Sequence, residues 1–371
     1  PSTQCVSNAK LPFVVQVVQS AAASDGLGNS YTTTYLFAGG LYDAPTKEFR
    51  GFATATVYDV DGNKSITEFH QDEHKKGRPF LSEFRDQYDN LWTKAEQTWS
   101  CTEPYPGVHF VTLNQTDSFT YEGDTDFKQA RSRFQYDQYG NITRTDADGD
   151  VTVSGDERAT VTEFNYNQSS WIINKPKLTQ VLNDAQTVVA QRRFTYDGAS
   201  SIETPPTAGN LTKEEEWLNL PTEQWLATTL RYDPYGNVTH VTDALNRTTT
   251  NTYDTATHAY LERIANTLGH TRQLVYDPRS GQVVTSTDQN SVTTTTVYDG
   301  LGRVTKVIGP TDTEALPTIS YSYDVSTVPA KTTVSTRIQS GQSAVLTAYA
   351  FTDGLGRTIQ TRSPAEDPTK Q

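Results

Sequence analysis

The dipeptide Tyr-Asp recurs ten times along the 371-residue chain, and this recurrence constrains the fold more than any other feature. From Tyr232 to Tyr323 successive copies are 21, 23, 22 and 25 residues apart. A period of this length is typical of repeat architectures, in which one supersecondary unit is added to the next. The sequence therefore predicts a repeated unit.

Several copies extend into a longer motif, in which glycine comes four residues after tyrosine and asparagine or arginine follows it. The copy at Thr352 replaces tyrosine but keeps the rest, and the copy at Tyr276 has one extra residue before its glycine. The predicted structural repeat positions are Tyr136, Asp137, Gly140, Tyr232, Asp233, Gly236, Tyr253, Asp254, Tyr276, Asp277, Gly281, Tyr298, Asp299, Gly302, Arg303, Tyr323, Asp324, Asp353, Gly356 and Arg357.

The motif predicts a strand, a tight turn and a returning strand. Aspartate bonds its own backbone to open a turn, glycine supplies a positive φ, and β-branched residues favour the return strand. A less regular second turn is predicted in each repeat, at 146–149, 243–246, 266–269 and 288–291. Two turns in about 22 residues leave strands of about 7–8 residues, or roughly 25 Å.

Side-chain alternation shows no clearly apolar face on these strands. One face of 292–298 carries valine, two threonines and tyrosine, and the other carries two threonines and valine. A sandwich needs a dry face on each sheet, whereas cross-strand Tyr and Thr pairs can support a single wetted sheet. The sequence therefore predicts an all-β fold with negligible helix: a spiralling sheet of antiparallel hairpins forming part of a hollow shell.

Composition excludes several classes of protein. The net charge of −13 with no basic block argues against nucleic-acid or anionic-membrane binding. No stretch approaches the ~20 apolar residues of a membrane span. Cys5 and Cys101 are too few for a disulfide framework and leave the redox compartment open. Because the chain begins at Pro1 without a signal-peptide pattern and ends abruptly at Gln371, we interpret it as a piece of a longer polypeptide.

These motifs resemble the YD repeats of the Rhs/YD family, which includes bacterial polymorphic toxins, insecticidal toxin complexes and teneurins. The N-terminal part resembles the middle region of toxin-complex B components and SpvB-like proteins. The segments that carry this second resemblance are 11–18, 40–43, 48–52, 69–71 and 76–79. We therefore predict a B-like middle region over 1–125 and a YD-repeat hairpin spiral over 126–371.

The resemblance implies a structural role as a shell, and because the sequence has no nucleophile elbow, P-loop or dinucleotide motif, we expect no enzymatic activity and no catalytic, cofactor or metal residues. The family's hollow shell encloses a toxic polypeptide, so the expected partners are that cargo and the rest of the polypeptide or a C component that completes the shell. Secretion as part of a larger exported protein is also implied. The family's autoproteolytic signature is not found in this sequence, so cleavage is not carried over. Open strand edges predict self-association.

Other sites were weighed against plain structural explanations. The spacing of His70 and His74 suggests a metal pair, but in a strand they would lie ~13 Å apart, which favours a solvated loop. The acidic segments 59–63, 124–126 and 146–150 suggest calcium loops but lack the complete EF-hand pattern, which favours turns. The periodic tyrosines suggest either a packing ladder or a sugar-binding platform. An adhesin or carbohydrate-binding module is thus the alternative function, and an enzyme with a triad assembled only in space is a third.

Overall fold

The chain is folded from β-strands alone. The computed structural model describes residues 8–123, 125–220 and 222–365, and its regular structure consists of 27 strands with no helix in those ranges. This confirms the all-β prediction. Within the same ranges, no helix has the length and apolarity needed to cross a membrane.

Twenty-five strands belong to one antiparallel sheet, and β3 and β4 form a separate pair. The first strands are β1 Ser20–Ser24, β2 Ser30–Ala38, β3 Tyr42–Asp43, β4 Glu48–Phe49, β5 Thr54–Tyr58, β6 Lys64–Phe69, β7 Pro79–Arg85, β8 Leu91–Tyr105, β9 Val108–Tyr121, β10 Phe127–Tyr136, β11 Ile142–Asp150, β12 Arg158–Asn167, β13 Ile172–Leu182 and β14 Val188–Tyr196. The others are β15 Leu211–Leu218, β16 Gln224–Tyr232, β17 Val238–Thr242, β18 Thr248–Tyr253, β19 Leu261–Ala265, β20 Thr271–Asp277, β21 Gln282–Thr287, β22 Thr293–Tyr298, β23 Val304–Ile308, β24 Ile319–Asp324, β25 Ala330–Arg337, β26 Val345–Thr352 and β27 Thr358–Arg362.

The chain separates into two compact units. The first comprises residues 1–22 and 31–226, and the second comprises 23–30 and 227–371. In the first unit β2 pairs with β5, and from β5 to β15 each strand pairs with the next. The predicted division at 125/126 rests on family resemblance and stays a prediction.

In the second unit each strand from β16 to β26 pairs with its successor in the chain. Strands β17 to β23 have 5–7 residues, shorter than predicted. The difference arises because a turn such as Asp299–Arg303 takes five residues rather than four, leaving fewer for the strands.

The described residues bury little apolar side-chain surface completely. The buried hydrophobic side chains are Phe119, Ala159 and Tyr196. The residues of β22, in contrast, are half-buried at every position, as expected for a sheet without a dry face. Hydroxyl pairs join neighbouring strands, with 2.8 Å between the Oγ1 atoms of Thr287 and Thr293.

The predicted turn at 146–149 is wrong. These residues lie in β11, where Asp146 pairs with Arg133 and Ala147 with Ser132. Arginine side chains neutralise the aspartates there, since Arg144 Nε donates to Asp146 Oδ1 at 2.9 Å. The chain instead turns immediately after β11, at 151–155.

Candidate functional site: the repeat turns and the sheet faces

The repeat turn is a five-residue unit closed by its first aspartate. In Asp299–Arg303 the Asp299 N–H donates to the Arg303 carbonyl at 2.9 Å, and the Gly302 N–H donates to the Asp299 carbonyl at 3.0 Å. Asp299 Oδ1 accepts the N–H groups of Leu301 and Arg303, each at 2.9 Å. Gly302 has φ 79°, so the turn is a three-residue hairpin loop that ends in the left-handed region.

The same carboxylate contacts recur in both turns of the repeats, so the second turn is more regular than predicted. The other turns of this kind are Asp25–Asn29, Asp59–Asn63, Asp86–Asn90, Asp137–Asn141, Asp233–Asn237, Asp243–Arg247, Asp288–Val292 and Asp353–Arg357. In Asn266–His270 an amide oxygen replaces the carboxylate. The fourth residue always has a positive φ, even where it is Asp89, Asn246 or Ser291.

The side chain of the fifth turn residue contacts an adjacent strand or turn of the sheet. Asn141 Nδ2 donates both to Asp137 Oδ2 and to the Ile173 carbonyl, each at 2.7 Å. Asn237 bonds the His258 carbonyl in the same way, at 2.7 Å. Where the residue is Arg303, its guanidinium lies 4.3 Å from the ring centre of Tyr323. These contacts explain why asparagine or arginine follows the glycine.

The repeat tyrosines anchor one strand to the next through their hydroxyls. The Tyr298 hydroxyl donates to the Val283 carbonyl at 2.9 Å, and the Tyr323 hydroxyl to the Val304 carbonyl at 2.8 Å. In each case the acceptor lies on the preceding strand, at the residue that pairs with the tyrosine of the preceding repeat: Val283 pairs with Tyr276, and Val304 pairs with Tyr298. The same contact is made by Tyr136 to Leu113, Tyr196 to Pro176 and Tyr276 to Leu261.

Three predicted copies have different turns after the tyrosine. Asp254 closes a longer turn and accepts N–H groups from Ala256, Thr257, Ala259 and Tyr260. Asp277 accepts the Arg279 N–H, and Gly281 has φ 70°. Asp324 accepts the N–H and hydroxyl of Ser326. Tyr232 and Tyr253 end β16 and β18 at register shifts.

Two further Tyr-Asp pairs are not turn openings of this kind. Tyr88 and Asp89 lie inside the turn that Asp86 opens, and Asp89 occupies its left-handed position. Tyr42 and Asp43 form β3, and the Asp43 carboxylate forms an ion pair with the Arg50 guanidinium. The dipeptide alone therefore overstates the number of repeat turns.

Hydrogen bonding lowers the pKa of many turn aspartates. The Asn63 and Asn90 amides are the largest cause for the pKa values of Asp59 and Asp86, and the Arg303 N–H is the largest for Asp299. Because the oxygens of Asp59 already accept N–H groups within the turn, the acidic segment 59–63 stabilises a hairpin turn. Of the segment 124–126, Asp124 lies outside the described residues.

His70 and His74, whose spacing suggested a metal pair but favoured a loop, contact different neighbours. His70 Nδ1 lies 3.7 Å from Asp72 Oδ2, and its ring packs on Phe80. His74 instead stacks on His109, with 3.6 Å between ring centres. No clustering of His70 with two other potential metal ligands is found in the described residues.

A contact within the second unit was missed by sequence reasoning. The Gly354 N–H donates to the Asp25 carbonyl at 2.6 Å, joining the turns Asp25–Asn29 and Asp353–Arg357. Asp25 and Asp353 are only 2% and 4% exposed. Both turns begin with the letters Asp-Gly-Leu-Gly, but so does the turn at Asp299, so the letters alone do not show which two turns meet.

Together, the repeated turns, the tyrosine hydrogen bonds between strands and the few fully buried apolar side chains define a β-hairpin repeat protein. Residues 2–79 match the family model described as the insecticide toxin TcdB middle/N-terminal region. A comparison with curated protein sequences gave no match.

Solved structures of toxin complexes share the fold. The crystal structure of TcdB2-TccC3 matches with a TM-score of 0.74 at 13% identity, over 91% of this chain and 26% of that one. The same complex without its hypervariable C-terminal region matches with a TM-score of 0.72 at 12% identity, over 90% and 28%. The Photorhabdus luminescens Tc holotoxin pore matches with a TM-score of 0.73 at 12% identity, also over 90% and 28%.

These comparisons confirm the predicted resemblance to toxin-complex B components and their repeat shell. The family model covers the N-terminal region, and the fold likeness extends over most of the chain. The chain spans about a quarter of the length of the structures it matches, at 26–28%.

Proposed function

We propose that this chain is a wall segment of a secreted toxin-complex-like protein and that one face of its sheet lines a space for a polypeptide passenger. The observation that carries the proposal is the series of successively paired strands joined by hydrogen-bonded turns, in a fold shared with TcdB2-TccC3. Such a sheet is stabilised by its backbone and turns, so its faces need not be sealed against each other.

The chemistry of the turns supports a non-enzymatic role. The turn aspartates Asp59, Asp299 and Asp353 accept backbone N–H groups, and their pKa values are lowered rather than raised toward neutrality. A general acid or base working near pH 7 requires the opposite shift in a carboxyl group. These carboxylates therefore hold hairpins.

The tyrosine contacts favour a wall over a carbohydrate-binding surface. The hydroxyls of Tyr276, Tyr298 and Tyr323 donate hydrogen bonds to carbonyls of the neighbouring strand. A glycan array is expected to give no reproducible binding, and micromolar binding of a defined sugar would favour the adhesin alternative.

The partners follow from the same proposal: the remainder of the polypeptide or a C component, and the passenger. The test is protease protection in particles assembled from the longest natural polypeptide that contains this chain and a C-type partner with a tagged passenger. We expect the passenger to resist protease in the intact particle and to become sensitive when Gly302→Val and Gly356→Val open the wall. A passenger digested equally fast with and without this chain would contradict the proposal.

A further inference from the structure

Three soft or borderline metal ligands converge in the first unit, away from the repeat turns. The ligand atoms of His74, Cys101 and His109 all lie within 4.8 Å of one another. The two imidazole rings are stacked at 24°, and Cys101 Sγ lies 4.0 Å from His109 Nδ1. Two residues of the cluster are half-buried and His109 is exposed, so solvent reaches it.

The β8–β9 hairpin brings Cys101 and His109 to one face of the sheet. Cys101 is directly opposite Val111, and His109 lies two residues before Val111 on the same strand. Because side chains alternate with a period of two, His109 shares the face of Val111 and is a diagonal neighbour of Cys101.

A braced loop carries His74 to the same place. Two hydrogen bonds close the loop: the His70 N–H donates to the Arg78 carbonyl at 2.9 Å, and the Gly77 N–H donates to the His70 carbonyl at 3.0 Å. Asp72 Oδ1 accepts the His74 N–H at 3.2 Å, which fixes the backbone of the ligand residue.

The following strand ties this loop to β8. Trp99 Nε1 donates to the Pro79 carbonyl at 2.7 Å, and the Arg78 guanidinium lies 5.2 Å from the Trp99 ring centre. The pairing between β7 and β8 ends at Leu81, which lies opposite Glu96. β8 continues past this point, so the 70–78 loop lies beside the extension of β8 that holds Cys101.

We propose that His74, Cys101 and His109 form a binding site for a zinc-like transition-metal ion, with water at the fourth position. Two imidazoles and one thiolate suit Zn²⁺, and three protein ligands with one open position are a known zinc arrangement. The cluster contains no carboxylate, which disfavours Ca²⁺ and Mg²⁺. Binding releases the thiol proton to solvent, and the bound ion pins the 70–78 loop to the β8–β9 hairpin.

The test uses Co²⁺ as a spectroscopic probe and Zn²⁺ as the competitor, with the full chain under reducing conditions. We expect one Co²⁺ per chain, a thiolate-to-cobalt charge-transfer band, and loss of that band when Zn²⁺ is added. Cys101→Ser should abolish the band, while His74→Ala and His109→Ala should weaken binding at least about tenfold. Zn²⁺ should raise the unfolding temperature of the wild type and not that of Cys101→Ser.

Matched variants separate this site from incidental metal binding. Cys5→Ser and the exposed-histidine variant His270→Ala should bind Co²⁺ as the wild type does, and far-ultraviolet circular dichroism verifies that each variant is folded. The proposal is overturned if no charge-transfer band forms, if the band survives Cys101→Ser, or if neither His74→Ala nor His109→Ala weakens binding.

Discussion

At the scale of single residues, the turn motif holds particular backbone and carboxylate atoms in fixed positions. Asp299 closes its turn with two N–H contacts, and Gly302 supplies the left-handed conformation at φ 79°. Sequence reasoning predicted this geometry correctly because the needs of aspartate and glycine in a turn are local. The dipeptide alone does not locate a turn opening at Tyr88 and Asp89, where Asp86 opens the turn and the dipeptide lies inside it.

The first prediction concerns the left-handed glycine. Gly302→Val should destabilise the second unit by about 1–3 kcal/mol, because a β-branched residue is strained at a positive φ. Thermal unfolding measures the loss. Gly300→Val is the matched control, since a Cβ there would meet nothing within 4 Å and φ is not in the left-handed range. Equal unfolding temperatures for the two variants would contradict the turn geometry.

The second prediction concerns the strand anchor made by tyrosine. Tyr298→Phe removes the hydroxyl that bonds the Val283 carbonyl and should cost about 1 kcal/mol, since that carbonyl loses its donor. Chemical denaturation measures the free energy of unfolding. Tyr235→Phe, at a side chain 64% exposed, should change it little. If both variants lose the same stability, the hydroxyl contact is not what anchors the strand.

At the scale of elements, the hairpins are held by carboxylates, and acid should therefore weaken them. The long turn between β14 and β15 is the clearest case. Burial alone would raise the pKa of Asp197, but N–H groups of residues 207–210 outweigh burial and lower the pKa to about 2. A pKa lower in the folded chain means that the unfolded chain binds more protons, so stability rises with pH across this range.

The third prediction follows from that sign. The Asp197 contribution should be complete above its ordinary pKa of 3.8 and be lost as the pH falls through about 2. Denaturant unfolding at a series of pH values should show Asp197→Asn to be less stable than the wild type at neutral pH. The two proteins should converge at the acid end. Asp184→Asn, in an exposed turn, is the control, and a constant difference at every pH would contradict the assignment.

Sequence reasoning at this scale was limited by long-range pairing. The segment 146–149 has turn-forming letters but is a strand, in which Asp146 bonds Arg144 of the same strand and Asp148 bonds Arg133 across the ladder. The cluster of His74 with Cys101 and His109 depends on the register of β8 against β9. Neither pairing can be derived from local propensity.

At the scale of the whole molecule, β27 pairs with β26, and no other strand of the described residues packs against it. All five of its residues are exposed. An exposed strand edge offers backbone groups to another chain, so self-association is expected.

The fourth prediction tests that edge. Ile359→Lys places a charge on β27 at a side chain 48% exposed and should reduce self-association measured by sedimentation velocity over a range of concentrations. Ile142→Lys, at a side chain 43% exposed in the internal strand β11, should leave association unchanged. A wild-type chain that remains monomeric at high concentration would contradict open-edge association.

The most direct test of the wall proposal is site-specific photo-crosslinking in particles assembled with a C-type partner and its passenger. A crosslinking amino acid is placed singly at Thr294 or Thr296 on one face of β22, and at Thr295 or Val297 on the other. The account predicts crosslinks to the passenger from one of these two pairs and not from the other. Crosslinks from neither face, or equal crosslinks from both, would contradict a wall with one face toward the passenger.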